Sequence, residues 1–392
     1  MYKIYHCICL VLILTSCSHE LASIKNERKG TMSATYQLAA MKEKQFYLDS
    51  VTAPRPIYMQ LLRNKTGARI LSFLNVYNSS IYFYDYSNAE YIKRIQYNKE
   101  GANSILRPQG YYVKNMDSIY VYDMMKIEIV LTDSLGNCKH RIPLKNSVDD
   151  KWALYYPQYS LSTVVPFLEN QGKLILTGYS PFSLPQKNIR DFLFTTYIDL
   201  KTNQVLYHHK YPEELYGHDF NWEGGFATIV YPCISAENKL IHSFPVSHNL
   251  YLSKFEDEKS IKIYGGSNIA KTIHSIDHEQ RRTSNELIAE NYLQQDLYGA
   301  IIHDPYRKMY YRFFLQGIPN ATINTSKDEK PIIVIMMNEQ FEYLGETVIG
   351  TGKEWNWTNS FVTSEGLNIE YIDNNDIDEY YLNLKIFIPK RI

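Results

Sequence analysis

From Tyr58 to the end of the chain, groups of four short strand-like segments recur about every 40 residues, and this recurrence limits the fold more than any other feature. The clearest group spans 110–144. GYYVKN, DSIYVYD, KIEIVLTD and KHRIPL are rich in β-branched and aromatic residues, with a DSLGN turn before the last of them. Connections of a few residues make consecutive segments pair as antiparallel hairpins. One such meander buries too little apolar surface to stand alone, so the groups must pack on one another. Corresponding groups lie at 58–97, 165–211, 227–265 and 299–349. The last group, SFVTSEG, LNIEYID and EYYLNLKIFIPK, supplies only three strands, and EKQFYLDS at 43–50 offers the fourth from the other end of the chain.

Six groups of four, the last completed from the N-terminal side, predict an all-β chain: a six-bladed β-propeller of four-stranded antiparallel blades over 43–392, closed by an N-terminal strand. Pairing first strand with last hides edges that would otherwise template aggregation. A β-sandwich with a second, smaller β-domain would leave the constant unit length unexplained. The 35 tyrosines support strands, and are expected to cover sheet faces with their hydroxyls reaching water. One insertion, between the fourth and fifth groups, reads as a short helix near 284–295. Thr283 and Glu286 have capping-box spacing, and Leu287, Ile288 and Leu293 form its apolar side, set to pack over one face of the ring.

Ahead of the repeats the chain is of another kind. Lys3 is followed by the apolar run CICLVLIL at 7–14, far short of the ~20 residues of a spanning helix and suited to a secretory leader. Leu14-Thr15-Ser16-Cys17 resembles the bacterial lipoprotein box. The expectation is a signal peptide over 1–16, lipid attachment at Cys17 and a flexible tether over 17–42, placing the protein on a membrane of a Gram-negative envelope. The outer membrane is the expected site, with the protein facing the periplasm or the cell surface. Loss of the leader removes Lys3 alone, leaving 40 of the 41 basic side chains against 42 acidic ones. A net charge near −2 provides no field for nucleic acid, which is excluded as a partner. Cys138 and Cys233 are 95 residues apart in different groups and read as two buried thiols; no Cys-x-x-Cys spacing suggests zinc, and no cofactor is expected.

Four stretches hold the candidate site residues. GHDFNWEGG at 217–225 carries His218, Asp219 and Trp222 on a connecting loop, where plain turn chemistry competes with a polar and aromatic site. His248, with His303, Asp304, Arg307 and Arg312 from HDPYRKMYYR, offers acid–base or metal-binding groups on neighbouring units. Against that, Asp304-Pro305-Tyr306-Arg307 has the residues of a β-turn, and Arg312 suits a buried charge paired to a carboxylate between blades. Trp355 and Trp357 alternate along an extended segment, so both indoles would face one side, either to stack on a sugar or to pack inside. DNNDIDE at 373–379 is an acidic turn, since Asp378 stands where a calcium loop needs its glycine. Nucleophile-elbow, dinucleotide and Walker motifs are missing.

NKLIHSFPVSHNLYL (238–252), GAIIHDPYRKMYYRFF (299–314) and EYLGETVIGTGKEWNWTNSFVTSEGLNIEY (342–371) resemble an uncharacterised family of Bacteroidetes-type lipoproteins, similar in turn to six-bladed TolB-like propellers. The resemblance implies fold and location and assigns no chemistry. The expected function is therefore that of a membrane-anchored, non-catalytic propeller recognising a protein or a glycan. The alternative is a hydrolase or lyase with a channel site, metal-assisted or not. It requires His248, His303 and Asp304 to converge within roughly 5 Å, close to hydrogen-bond reach of a common reacting group.

Overall fold

A computed structural model describes residues 22–52, 55–145, 156–180, 189, 191–217, 220–223, 225–276, 284–376 and 379–392. Two strands precede the repeats, β1 (Ser23–Ile24) and β2 (Tyr36–Tyr47). Blade 1 contains β3 (Tyr58–Arg63), β4 (Arg69–Asn75), β5 (Ser80–Asp85) and β6 (Tyr91–Gln96). Blade 2 contains β7 (Pro108–Asn115), β8 (Ser118–Asp123), β9 (Glu128–Thr132) and β10 (Cys138–Pro143). In blade 3 lie β11 (Leu168–Asn170), β12 (Lys173–Thr177), β13 (Leu193–Asp199) and β14 (Val205–Lys210), followed by the short helix α1 (Glu213–Tyr216). Blade 4 follows with β15 (Tyr231–Ile234), β16 (Leu240–Ser243), β17 (Asn249–Ser253) and β18 (Ser260–Tyr264). After it come β19 (Ile273–His274) and α2 (Asn285–Gln294). Blade 5 is β20 (Leu297–Asp304), β21 (Met309–Leu315), β22 (Pro331–Asn338) and β23 (Tyr343–Thr351). Blade 6 is β24 (Trp355–Thr363), β25 (Gly366–Tyr371) and β26 (Tyr381–Arg391), with β2 as its outer strand.

Each sheet is antiparallel in chain order, and the first strands of the blades pack side by side as the inner wall: β3 on β7, β15 on β20, β20 on β24, β24 on β3. This is the expected six-bladed propeller. The closing strand is longer than 43–50 suggests. It begins at Tyr36 and pairs with β26 from Tyr36↔Arg391 to Tyr47↔Tyr381, with a bulge between Ala40 and Lys42. Its solvent-facing stretch, Ala40–Gln45, is mostly polar, so alternation cannot announce it. Residues 22–35, expected as tether, lie along blades 4 and 5 through backbone contacts. β1 pairs with β19, and the Asn26 amide donates to the carbonyls of Ser267 and Ala270, both at 2.9 Å. Residues 1–21, with Cys17, are outside the described region, where no helix is long and apolar enough to span a membrane.

The tyrosines depart from expectation too. Tyr58, Tyr82, Tyr84, Tyr86, Tyr111 and Tyr122 are among the largest fully buried side chains, sealing blade against blade. Most of their hydroxyls bond inside the protein, such as Tyr111 to Ser72 Oγ at 2.7 Å and Tyr86 to Asn368 Oδ1 at 2.6 Å. A ring with one polar tip can fill an interblade gap when that tip finds a partner. Both cysteines are free thiols, Cys233 buried and Cys138 half-buried on an outer strand.

Register separates the ring into two unlike faces. On one, tight turns join β3 to β4, β7 to β8, β9 to β10, β20 to β21 and β24 to β25. The long connections leave and re-enter the blades on the other, among them those between β2 and β3, β6 and β7, β10 and β11, β18 and β20, β21 and β22, and β25 and β26. α2 belongs to this long-loop face, capped by Ser284 Oγ, which accepts from the Leu287 amide at 3.5 Å. The expected cap, Thr283, lies outside the described residues, and of the three apolar positions only Leu293 is fully buried.

Candidate functional site

On the long-loop face the β24–β25 register sets Asn356 opposite Glu370. Asn356 Nδ2 and Asn359 Nδ2 donate to the same oxygen, Glu370 Oε2, at 2.7 and 2.6 Å. Asn359 also donates to the Pro56 carbonyl and accepts from Thr163 Oγ1 at 2.6 Å, while Thr163 Oγ1 accepts the Met59 amide at 2.8 Å. One polar chain thus joins blade 6, the loop before blade 3 and the inner strand of blade 1. Glu370 is only 3% exposed. Burial, opposed by the two amides and by Arg55, pushes its carboxyl up to about 7. Among the described residues nothing donates to its second oxygen, Oε1.

Glu370 lines a cleft of about 300 Å³ with Arg55, Tyr371, Asp373, Asp376, Glu379 and Tyr381 among its walls. Asp376 is partly committed to its loop, accepting the Tyr380 and Tyr381 amides at 3.1 and 3.0 Å, and Asp373 accepts the Asn375 amide at 2.9 Å. A second cleft of about 300 Å³ adjoins it, sharing Arg55 and Ile372 and walled by Trp355, Asn356, Trp357, Thr358, Asp328 and Lys330. Behind this second cleft Lys330 Nζ caps the end of α2, donating to the carbonyls of Tyr292, Leu293 and Gln295 at 2.7, 3.2 and 2.7 Å. Burial pulls its amine down to about 7.

The residues singled out from sequence fall into separate places. Trp355 and Trp357 both line the second cleft but pack on different partners. Trp355 packs on Phe387 and Tyr371, whereas Trp357 wedges against Tyr231 of blade 4 and Phe313 of blade 5. A Cβ on Gly299 would come within 2.8 Å of the Trp357 ring, so that close approach requires glycine there. Trp222 is buried, its Nε1 donating to the Leu215 carbonyl at 2.6 Å; His218 and Asp219 lie outside the described residues.

His248, His303 and Asp304 do not converge. His248 Nδ1 bonds Tyr298 Oη at 2.7 Å near the start of β20, while His303 and Asp304 end that strand. Six residues of strand separate Tyr298 from Asp304, on the order of 20 Å. Asp304 is the first residue of a turn, accepting the Tyr306 and Arg307 amides at 3.0 Å each, and Arg307 reaches the carbonyls of Thr363 and Ser364 at 3.3 and 3.0 Å. His303 meets Glu339 at 3.3 Å. The channel-site acid–base arrangement drawn from these three residues is therefore ruled out. Among the described residues Arg312 has no carboxylate partner either. Its guanidinium sits 4.0 Å above the Tyr298 ring and donates to Ser243 Oγ at 3.0 Å and to the carbonyls of Ser247, Gly265 and His248 at 2.9, 3.1 and 3.2 Å. Carbonyls at a blade 4 turn do the work expected of an acid, and burial lowers the guanidinium to about 10.

Sequence reasoning missed Glu370, Asn356, Asn359, Arg55 and Lys330. The signal for the first three was Asn356 and Asn359 in KEWNWTNS facing a lone acid, Glu370, in LNIEY: polar residues on strands that pack inward.

The family model described as a domain of unknown function, DUF4221, matches residues 35–348. A solved DUF4221 member from Bacteroides vulgatus is 21% identical and superposes with a TM-score of 0.77 over 91% of this chain and 99% of that one. A candidate exported protein from Bacteroides fragilis, 10% identical, gives a TM-score of 0.56 over 90% and 95% of the two chains. A comparison with curated proteins returns no match. With four-fifths of its length matched by the family model, the chain belongs to the DUF4221 family.

Proposed function

We propose that the protein is a binding propeller of the bacterial envelope, held to a membrane through Cys17, that takes a glycan across the mouth of blade 6. The observation carrying this reading is the pair of adjoining clefts on the long-loop face. One has a floor formed by a buried carboxyl with an open oxygen, and the other a half-buried indole beside amide and hydroxyl side chains. Amides and carboxyls recognise hydroxyl groups by hydrogen bonds, and an indole face takes the apolar side of a sugar ring. The leader-like N-terminus and the likeness to a candidate exported protein support the envelope location. Calorimetry of the chain from Ser18 against envelope polysaccharides tests the reading. Binding that Trp355→Ala abolishes is expected, and equal binding by that variant defeats it.

A protein partner is the second reading. It is favoured by the exposed Tyr47 and Tyr380 rings, stacked 6.3 Å apart beside the first cleft.

A further inference from the structure

Glu370 is an unusual residue for a site that merely holds sugar hydroxyls. Its carboxyl is withdrawn from water, one oxygen is fixed by two amides, the residue lines a cleft, and among the described residues nothing donates to the other oxygen. Across the cleft stand three further acids, Asp373, Asp376 and Glu379, from the β25–β26 connection, against one cation, Arg55, from the loop before β3. Arg55 is exposed, at a left-handed backbone angle of 61°, and bridges the two clefts. Among the described residues no three acids or histidines are set to surround a metal ion. Acidic charge spread over one wall suits a larger, softer cation than a metal ion.

We propose that the acidic cleft is a subsite for a primary ammonium group of the ligand, seated on Glu370 Oε1. The inference rests on the binding reading above and names the chemistry of the group recognised. An ammonium has three donors; one meets Oε1, and Asp373 and Glu379 lie within the same cleft to share the rest. The carboxyl must be ionised to hold it. Burial raises the Glu370 carboxyl to about 7, so part of it is protonated near neutrality and uptake of the cation expels that proton. The titratable and charged groups facing Glu370 are Arg55, Asp373, Asp376, Glu379, Tyr371 and Tyr381. An amino sugar or a lysine side chain would each bring this group.

The experiment is calorimetric titration of the chain from Ser18 with glucosamine, N-acetylglucosamine, Nα-acetyl-lysine methylamide and 1,5-diaminopentane, each in two buffers of different ionisation heat. The lysine derivative and 1,5-diaminopentane, whose amines stay charged throughout, should bind with protons released and affinity rising from pH 6 to pH 8; glucosamine, whose amine gives up its own proton near neutrality, is compared with them at about pH 6. Glu370→Gln should weaken them about tenfold or more, as loss of a charged hydrogen-bonded partner does. Preference for glucosamine over the lysine derivative assigns the amine to an amino sugar, and the reverse preference to a peptide. The paired variant Asp373→Asn, Glu379→Gln, which leaves the buried network intact, should weaken the amines as well and keeps the test open if Glu370→Gln misfolds. Equal affinity for the N-acetylated sugar, unchanged binding by Glu370→Gln, or displacement of the amines by calcium overturns the inference. A neutral glycan lost with Trp355→Ala but not with Glu370→Gln overturns it while leaving the binding reading standing.

Discussion

His248 illustrates how one side chain can be mistaken for a site. The residue is 2% exposed, its ring bonded through Nδ1 to Tyr298 and through Nε2, at 3.3 Å, to the Ile24 carbonyl of the docked N-terminal segment. Burial, with Arg312 nearby, lowers it to about 4. The folded protein therefore holds it neutral, while the unfolded chain protonates it near its ordinary value of about 6.5. Stability from this residue is complete above pH 6.5 and lost as pH falls from 6.5 toward 4, by at most about 3 kcal/mol. Thermal unfolding from pH 7.5 to 4.5 should show a shallower decline for His248→Gln than for the wild type, and parallel curves would refute this. In sequence, a histidine beside a neighbouring blade's HDPYR looks like chemistry, because sequence shows which residues are polar but not which are already satisfied. The same ambiguity covered Asp304, an ordinary turn residue, and Arg312, whose carbonyl cradle is backbone and carries no side-chain signature.

Elements were legible in proportion to how strongly burial wrote their period. β4, β5, β8, β21 and β22, buried almost throughout, stand out as apolar runs and mark blades 1, 2 and 5, and the repeat of about 40 residues extends the pattern to the rest. β2 was placed seven residues late because an outer strand with polar stretches has little alternation to read. α2 was legible from its spacing, but not what anchors it. A single lysine, 35 or more residues further on, ends the helix by donating to three of its last carbonyls, the cationic partner that a helix C-terminus favours. Replacing Lys330 with methionine keeps the buried stem and strands those carbonyls, at a cost of about 2–3 kcal/mol. Hydrogen exchange should accelerate across 285–294 well before global unfolding changes by as much. Uniform acceleration over all six blades would show instead that Lys330 supports the ring rather than the helix.

At the scale of the molecule, the two faces carry different features. The tight-turn face carries links that hold blades together, such as Arg307 reaching from the blade 5 turn to carbonyls of the blade 6 turn. The long-loop face carries the clefts. The site stayed hidden in sequence because its parts meet only through ring closure. Arg55 lies over 300 residues before Glu370, and Asn356 meets Glu370 through strand register rather than through a motif. This division predicts a double dissociation. Arg307→Ala removes one partly buried ion pair with Asp304 and two carbonyl contacts between blades, so it should lower stability by about 1–3 kcal/mol and leave ligand affinity untouched. Trp355→Ala should abolish ligand binding, and because its half-buried indole also packs on Phe387 it will cost some stability as well. Measured side by side, by urea unfolding and by calorimetry, the two variants separate stability from recognition. A loss of affinity in Arg307→Ala at temperatures where the variant is fully folded would mean that the turn face communicates with the clefts, and the assignment of recognition to one face would fall.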